Sequence, residues 1–582
     1  MIIAAMAGRL FAVSLCRLLI GTLVLPLAAL VSADARANDA GKTVPVPARL
    51  EVRFTPNFDP AGTAGVAVEM QIPAPRLEAG KPLLRMPLIL VSVPTAAYPA
   101  SAIEAADTAG RLELTAQDEA PGPSGTYRNY VANRATQGPV TVRYRAAPRE
   151  VSAATRNGPL FDLRREGDGL IGSGVYFMAL PPDPAPINIR LSWDLPPGFR
   201  GVSSRGEGEQ TWQGPADSLA YSFYATGPVR SLPEDGKGDF VVYWLKAPPM
   251  DPVALGTGAQ RLYEAMAAFF DDKGSEYRIF ARSNPYAGGG GTALSRSFMF
   301  GYGSNGITSS TGTDMLIAHE MAHTWPKMAG DHPQTAWYTE GTAEYYSTLL
   351  SLRAGTIDHA RFLSLINLKA EAYYTSPFLS MSNTEVGTQF WTDGRAQRVP
   401  YERGFLYLAG LDAQLKAASN GARSVDDLVL DVLKAQRGGA EVGVPAWRAM
   451  VVKALGAPAG QAFDDMVAGK LIVPPGTTYG PCFQMVPTSL RPFDMGFDGM
   501  RPGVVGGLRA GSAAELAGLR EGDVVVKATP ASQLRENPAM LAEMAVMRDG
   551  QPLTIRFLPR GKPVDGWKWQ RVPGIPDSDC KL

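Results

Sequence analysis

The stretch His319-Glu320-Met321-Ala322-His323, answered further on by Trp337-Tyr338-Thr339-Glu340-Gly341-Thr342-Ala343-Glu344, decides how this chain is read. On a helix, residues four apart stand one above the other, so both imidazoles can reach a single Zn2+. Glu320 lies about 100° round the same helix, where it can meet an attacking water as general base. Thr311, Thr313 and Asp314 supply start and first-turn residues, and Pro326 a stop. Glu340 follows His323 by seventeen positions, enough for the chain to turn and lay a second helix beside the first. It completes a two-His-plus-Glu set for one zinc per chain, with a coordination position left open for chemistry. Glu344, one turn beyond, is placed to accept the outer N–H of a ligating imidazole and so set its tautomer. The chain has four histidines, and the remaining two, His332 and His359, read as loop or surface residues.

Outward from this block the chain divides. Its 582 residues are too many for one core and imply about three or four domains. Lys plus Arg and Asp plus Glu both number 56, so neither nucleic acid nor an acidic membrane surface is an expected partner. Residues 1–37 read as a signal peptide: Arg9 and Arg17 precede the apolar run 18–31, and Ser32-Ala33-Asp34-Ala35-Arg36-Ala37 offers a cleavage site. The apolar run is short of the roughly 20 residues of a span, so export and cleavage are expected rather than anchoring. The expected product is periplasmic or secreted, with no stable membrane insertion. Cleavage removes Cys16 and leaves Cys482 and Cys580, which in an oxidising compartment predict a disulfide, the alternative being two free buried thiols.

Residues 38–247 alternate short apolar runs with Pro and Gly, as in Leu50-Glu51-Val52-Arg53-Phe54 and Val140-Thr141-Val142-Arg143-Tyr144, and predict an antiparallel β domain. Helical spacing over 258–271, 406–418, 425–436 and 446–455 defines a mostly helical domain over 248–476. The unit 480–582 contains Met495-Gly496-Phe497, Gly511-Ser512-Ala513-Ala514-Glu515-Leu516-Ala517-Gly518-Leu519 and Glu521-Gly522-Asp523-Val524-Val525-Val526, and it resembles a bacterial PDZ domain. That resemblance implies a groove helix over 537–547 and a closing strand over 553–557. It further implies a peptide ligand whose carboxylate meets backbone N–H groups at Met495, Gly496 and Phe497, unless the groove is closed and the unit only a stabilising appendage.

The zinc block, with Tyr401-Glu402-Arg403-Gly404, Leu411-Asp412, Ser424-Val425-Asp426-Asp427-Leu428 and Phe463-Asp464-Asp465-Met466-Val467-Ala468-Gly469, resembles the glycyl aminopeptidase family of gluzincin metallopeptidases over roughly 250–475. The resemblance implies a multidomain α+β fold: an N-terminal antiparallel β domain, a thermolysin-like catalytic domain and a C-terminal PDZ domain. It implies His319, His323 and Glu340 as zinc ligands, Glu320 as base, and Tyr401 as the donor to the developing oxyanion. The substrates would be peptides or proteins.

One segment departs from the family. In Gly288-Gly289-Gly290-Gly291-Thr292-Ala293-Leu294-Ser295-Arg296-Ser297, Ala293 and Leu294 stand near the place of an acid that greets a free α-amine. Gly289, Gly290, Gly291 and Thr292 are expected to receive an extended substrate along a strand edge, or else to form a flexible turn. Exopeptidase or endopeptidase action stays open, as do a catalytically silent peptide-binding protein and a zinc hydrolase of a non-peptide substrate.

Overall fold

The structure, a computed structural model, describes residues 48–582 apart from 59–63, 92, 123–124, 153–154, 156–157, 273–274, 286–289, 304–309, 391–392, 499–502 and 581. The expected signal peptide lies outside the described residues. No helix among them is long and apolar enough to cross a membrane.

The N-terminal body is β. A seven-stranded sheet is centred on Arg49–Phe58 and Ala64–Ile72, paired antiparallel, and a four-stranded sheet holds Pro82–Leu90 against Gly125–Ala132. Period-two alternation turns Leu50, Val52 and Phe54 inward, where the Phe54 ring meets Phe177, Trp193 and Tyr224 edge-on. A third sheet, containing Gly169–Ser173 and Phe223–Gly227, faces the helical body.

The helical body is built on a five-stranded sheet in the order Arg230–Leu232, Phe240–Trp244, Tyr277–Ser283, Ser297–Tyr302, Gly290–Leu294. Phe240–Trp244 pairs in parallel with Tyr277–Ser283, and the helix Pro252–Phe269, capped by Asp251, makes the crossover that parallel pairing requires. The boundary expected at 247/248 is therefore corrected to lie before Arg230. Phe240-Val241-Val242-Tyr243-Trp244 is buried on both faces, as a strand between two layers must be. Arg282, at the end of Tyr277–Ser283, donates to the Asp162 carboxylate and carbonyl, each at 2.6 Å, and Arg164 donates to the same carboxylate. This buried cluster joins the two bodies.

Two further helices meet beside the helix Ser310–Ala322. His332–Arg353 and Gly394–Ala418 cross at Gly341 and Gly404, where an added Cβ on Gly341 would stand 2.5 Å from the Gly404 Cα, and one on Gly404 would stand 1.9 Å from the Trp337 carbonyl oxygen. Only glycine permits that approach. His332 and His359 each open a helix instead of lying in loops. The His332 ring packs on Phe390, and His359 Nδ1 lies 3.3 Å from Asp577 Oδ2.

The C-terminal region is not one body. Phe483–Leu490 and Val564–Arg571 form a two-stranded ribbon whose Phe483, Met485 and Trp569 join the core of the helical body. Asn367 clamps the Trp569 backbone with bonds of 2.7 and 2.9 Å, and Cys482 is disulfide-bonded to Cys580. Only the residues between the ribbon strands have a core of their own, around Leu519, Leu534, Met544 and Phe557. The boundary expected at 480 is thus displaced inward. The expected groove helix over 537–547 is overturned as well: Ala542–Arg548 is the middle strand of a three-stranded sheet, and the helix there is the short Ala531–Glu536. Ala542, Met544 and Val546 face the core while Glu543 faces solvent, the period of a strand.

Candidate metal centre

Three donor atoms converge where the helices Ser310–Ala322 and His332–Arg353 meet. His319 Nε2 and His323 Nε2 are 3.1 Å apart, and Glu340 Oε2 lies 3.3 Å from each. Metal bonds of about 2.0–2.1 Å at tetrahedral angles separate donor atoms by about 3.3 Å, so the triangle matches three corners of a zinc tetrahedron. All three side chains are buried. Among the described residues, Glu340 Oε2 finds no hydrogen-bond partner of proper geometry, a costly state for a buried carboxylate oxygen unless a cation takes its lone pair. Burial pushes the Glu340 carboxyl up, but the two imidazoles outweigh it and hold the group below the usual carboxylate range. The donor set fits one Zn2+.

Around the triangle lies a ring of charge. One oxygen of Glu344 stands 3.3 Å from His319 Nδ1, and the other meets the Lys369 ammonium. Lys369, on the helix His359–Tyr374, is buried, and burial and then the nearby Arg398 charge pull it down to about 7, with Glu402 opposing. Arg398 pairs with the buried Glu402 and lies 4.0 Å from Glu344. Its guanidinium rests 4.8 Å from the centre of the Tyr401 ring, and that ring stacks in turn on His319. Burial, followed by the charge of Glu340, pushes the Tyr401 phenol well above its ordinary value; Arg398 opposes and Glu320 adds to the rise. The phenol is a donor at every physiological pH. Glu320 is buried beside His319 on the helix Ser310–Ala322, which ends just before His323, and its charge also reaches Tyr277.

The structure thus brings together His319, Glu320, His323, Glu340, Glu344 and Tyr401. The glycine segment fares differently. Gly289 lies outside the described residues. Gly290 opens the edge strand Gly290–Leu294 with free space beside it, whereas Gly291 packs under the Phe298 ring, 2.0 Å from where a Cβ would stand. Thr292 is 1% exposed, and its Oγ1 accepts the Leu160 N–H at 2.7 Å, so its side chain ties the edge strand to the N-terminal body. At the expected carboxylate loop, the Gly496 N–H already donates to Asp494 Oδ1 at 2.8 Å, and the Gly496 carbonyl accepts from Arg509. Asp494 is in turn ion-paired with Arg509.

Sequence reasoning passed over Lys369, Arg398 and Glu402. Lys369 left a signal as the one cation on an inward helix face shared with Phe362, Leu365, Ile366 and Tyr373. Arg398 sits three residues before Tyr401 and Glu402 directly after it.

No protein-family model and no curated protein matches the chain. Among solved structures, the chain is similar to an aminopeptidase N family protein from Idiomarina loihiensis, with a TM-score of 0.61 at 14% identity over 90% of this chain and 98% of that one. An M1 zinc metallopeptidase from Deinococcus radiodurans aligns with a TM-score of 0.42 at 16% identity, over 74% of this chain and 95% of the other. The fold, a β domain followed by a helical domain, is like that of the aminopeptidase N family protein.

Proposed function

We propose that this chain is a zinc-dependent peptidase, with His319, His323 and Glu340 as ligands. The observation that carries the reading is the Nε2–Nε2–Oε2 triangle with the Tyr401 phenol beside it, stacked on one of the ligands. When bound, zinc polarises a peptide carbonyl and acidifies water. Glu320 takes the proton of the attacking water and returns it to the leaving amine. Tyr401, kept protonated, donates to the tetrahedral oxygen. Glu344 holds His319 in orientation from behind.

Ala293 is buried on the edge strand, where the family resemblance would put an acid for the substrate's amine. Cleavage in this reading does not depend on a free N-terminus, a departure from the glycyl aminopeptidase subfamily that the sequence motifs otherwise suggest. The signal-like 1–37 supports export to the periplasm or beyond. The PDZ-like glycine motifs support a further peptide contact in the C-terminal unit.

The test is cleavage of a peptide library, half of it N-terminally acetylated, by protein of verified zinc content. Internal cuts in blocked peptides, abolished in Glu320→Gln, uphold the reading. Loss of single N-terminal residues from free peptides alone would restore the aminopeptidase reading. No cleavage of either set would sink the peptidase.

A further inference from the structure

Lys369 is buried on the helix His359–Tyr374, which supplies no donor to the metal triangle. Its ammonium meets Glu344 Oε2, and the other oxygen of that carboxylate lies 3.3 Å from His319 Nδ1, the ring nitrogen outside the triangle. The ammonium also stands 5.4 Å from the centre of the Phe405 ring, on the helix that carries Tyr401. Side chains of three helices thus meet at one buried charge behind His319. The first of these helices is fixed two residues before Lys369, where Asn367 clamps the Trp569 backbone with bonds of 2.7 and 2.9 Å.

Stability does not account for the pair. A buried ammonium and carboxylate lose about as much in desolvation as their attraction returns, and apolar side chains of similar volume serve a helix interface at least as well. Phe362, Leu365, Ile366 and Tyr373 already fill that part on the same helix. What the charge adds lies at the far end of Glu344. Among the described residues His319 Nδ1 makes no hydrogen bond of proper geometry, and Glu344 Oε1 is an acceptor within reach of it. A second cation competes for that oxygen, the Arg398 guanidinium 4.0 Å away. With Oε2 taken by Lys369, the carboxylate cannot swing toward Arg398 without stranding a buried ammonium.

We infer that Lys369 is a positioning residue of the metal centre: by taking one oxygen of Glu344 it keeps the other turned to His319 Nδ1, and so holds the imidazole with Nε2 toward the metal. The inference rests on the zinc reading above and is independent of the substrate. It makes metal retention depend on a helix that holds no ligand.

The test is a double-variant cycle on the full chain: wild type, Lys369→Met, Glu344→Gln and the two combined. Zinc affinity is read by competition with a chromophoric chelator, and urea unfolding of the metal-free proteins is read beside it. Lys369→Met is expected to bind zinc about 10-fold more weakly or worse, the range for loss of a group that orients a ligand. Because Lys369 acts only through Glu344, the two single variants and the double should agree in zinc affinity within about threefold. The visible bands of the cobalt(II)-loaded protein, which report donor geometry, should differ from wild type in all three variants. The double variant, in which no buried charge of the pair is stranded, is expected to regain the urea stability of wild type without regaining its zinc affinity. It therefore decides the matter even where Lys369→Met does not fold. Wild-type zinc affinity and an unchanged cobalt spectrum in the double variant would overturn the inference, leaving the pair a structural one. Wild type that retains no zinc would instead sink the metal reading itself.

Discussion

The rings of Tyr401 and His319 lie stacked, their planes 10° from parallel and their centroids 5.5 Å apart. A ring fixed against a metal ligand keeps its hydroxyl in one place, which is what preorganised stabilisation of an oxyanion requires. Tyr401→Phe is expected to lower kcat about a hundredfold with KM little changed. Because burial and the charges of Glu340 and Glu320 push the phenol well above its ordinary value, no alkaline limb from Tyr401 should appear in the wild-type profile below pH 10. Retention of kcat within threefold would remove Tyr401 from the mechanism.

Glu320→Gln leaves the donor triangle untouched and removes only the base. Zinc stoichiometry by metal analysis should stay at one per chain, while turnover falls by at least a hundredfold. A fully active variant would reassign the proton transfer.

Glu344 lies between His319 Nδ1, 3.3 Å away, and the Lys369 ammonium. Glu344→Ala should weaken zinc binding by about 10–100-fold in competition with a chromophoric chelator. Lys369→Met strands a buried carboxylate and should cost about 3–5 kcal/mol in urea unfolding, most of it recovered in the double variant with Glu344→Gln. Zinc affinity unchanged in Glu344→Ala would mean that His319 is oriented by other groups.

Asp162 is almost fully buried, and although burial pushes its carboxyl up, Arg282 and Arg164 outweigh it and bring the pKa to about 2. A carboxylate with a depressed folded pKa contributes stability that is present above the unfolded value near 4 and is lost as pH falls through about 2. Asp162→Asn is expected to be less stable than wild type by roughly 3 kcal/mol at pH 6, with the gap narrowing by about 2 kcal/mol between pH 4 and pH 2. A gap independent of pH over that range would show that the cluster acts through packing alone.

The disulfide closes a loop of 98 residues. Cys482→Ser should lower stability by about 4–5 kcal/mol in the chain-entropy model, and reductant should lower wild-type stability by a comparable amount. No change under either treatment would show that the ribbon and its Asn367 clamp suffice.

The donor set was legible because it follows from one helical period and one chain reversal, and its geometry came out within hydrogen-bond scale. The cations around it were not, since Lys369 and Arg398 come from two separate helices whose meeting depends on tertiary packing. Two misreadings had signals in plain sight. Phe240-Val241-Val242-Tyr243-Trp244 has no polar alternation and so reads as a strand buried on both faces. Ala542-Glu543-Met544-Ala545-Val546 alternates with period two, which a helix does not do. Thr292 could not have been placed, because its partner Leu160 lies 132 residues away on another body.

Leu490 and Val564 are directly paired neighbours in the ribbon, so the chain leaves the helical body and returns to it one strand spacing apart. The 73 intervening positions behave as a cassette with adjacent ends. Such a segment can be gained or lost in evolution without rethreading its host, and a tight turn joining Leu490 to Val564 would excise it. Its two tethers also deny it the freedom of a terminal appendage and keep it beside the helix His359–Tyr374 that it borders.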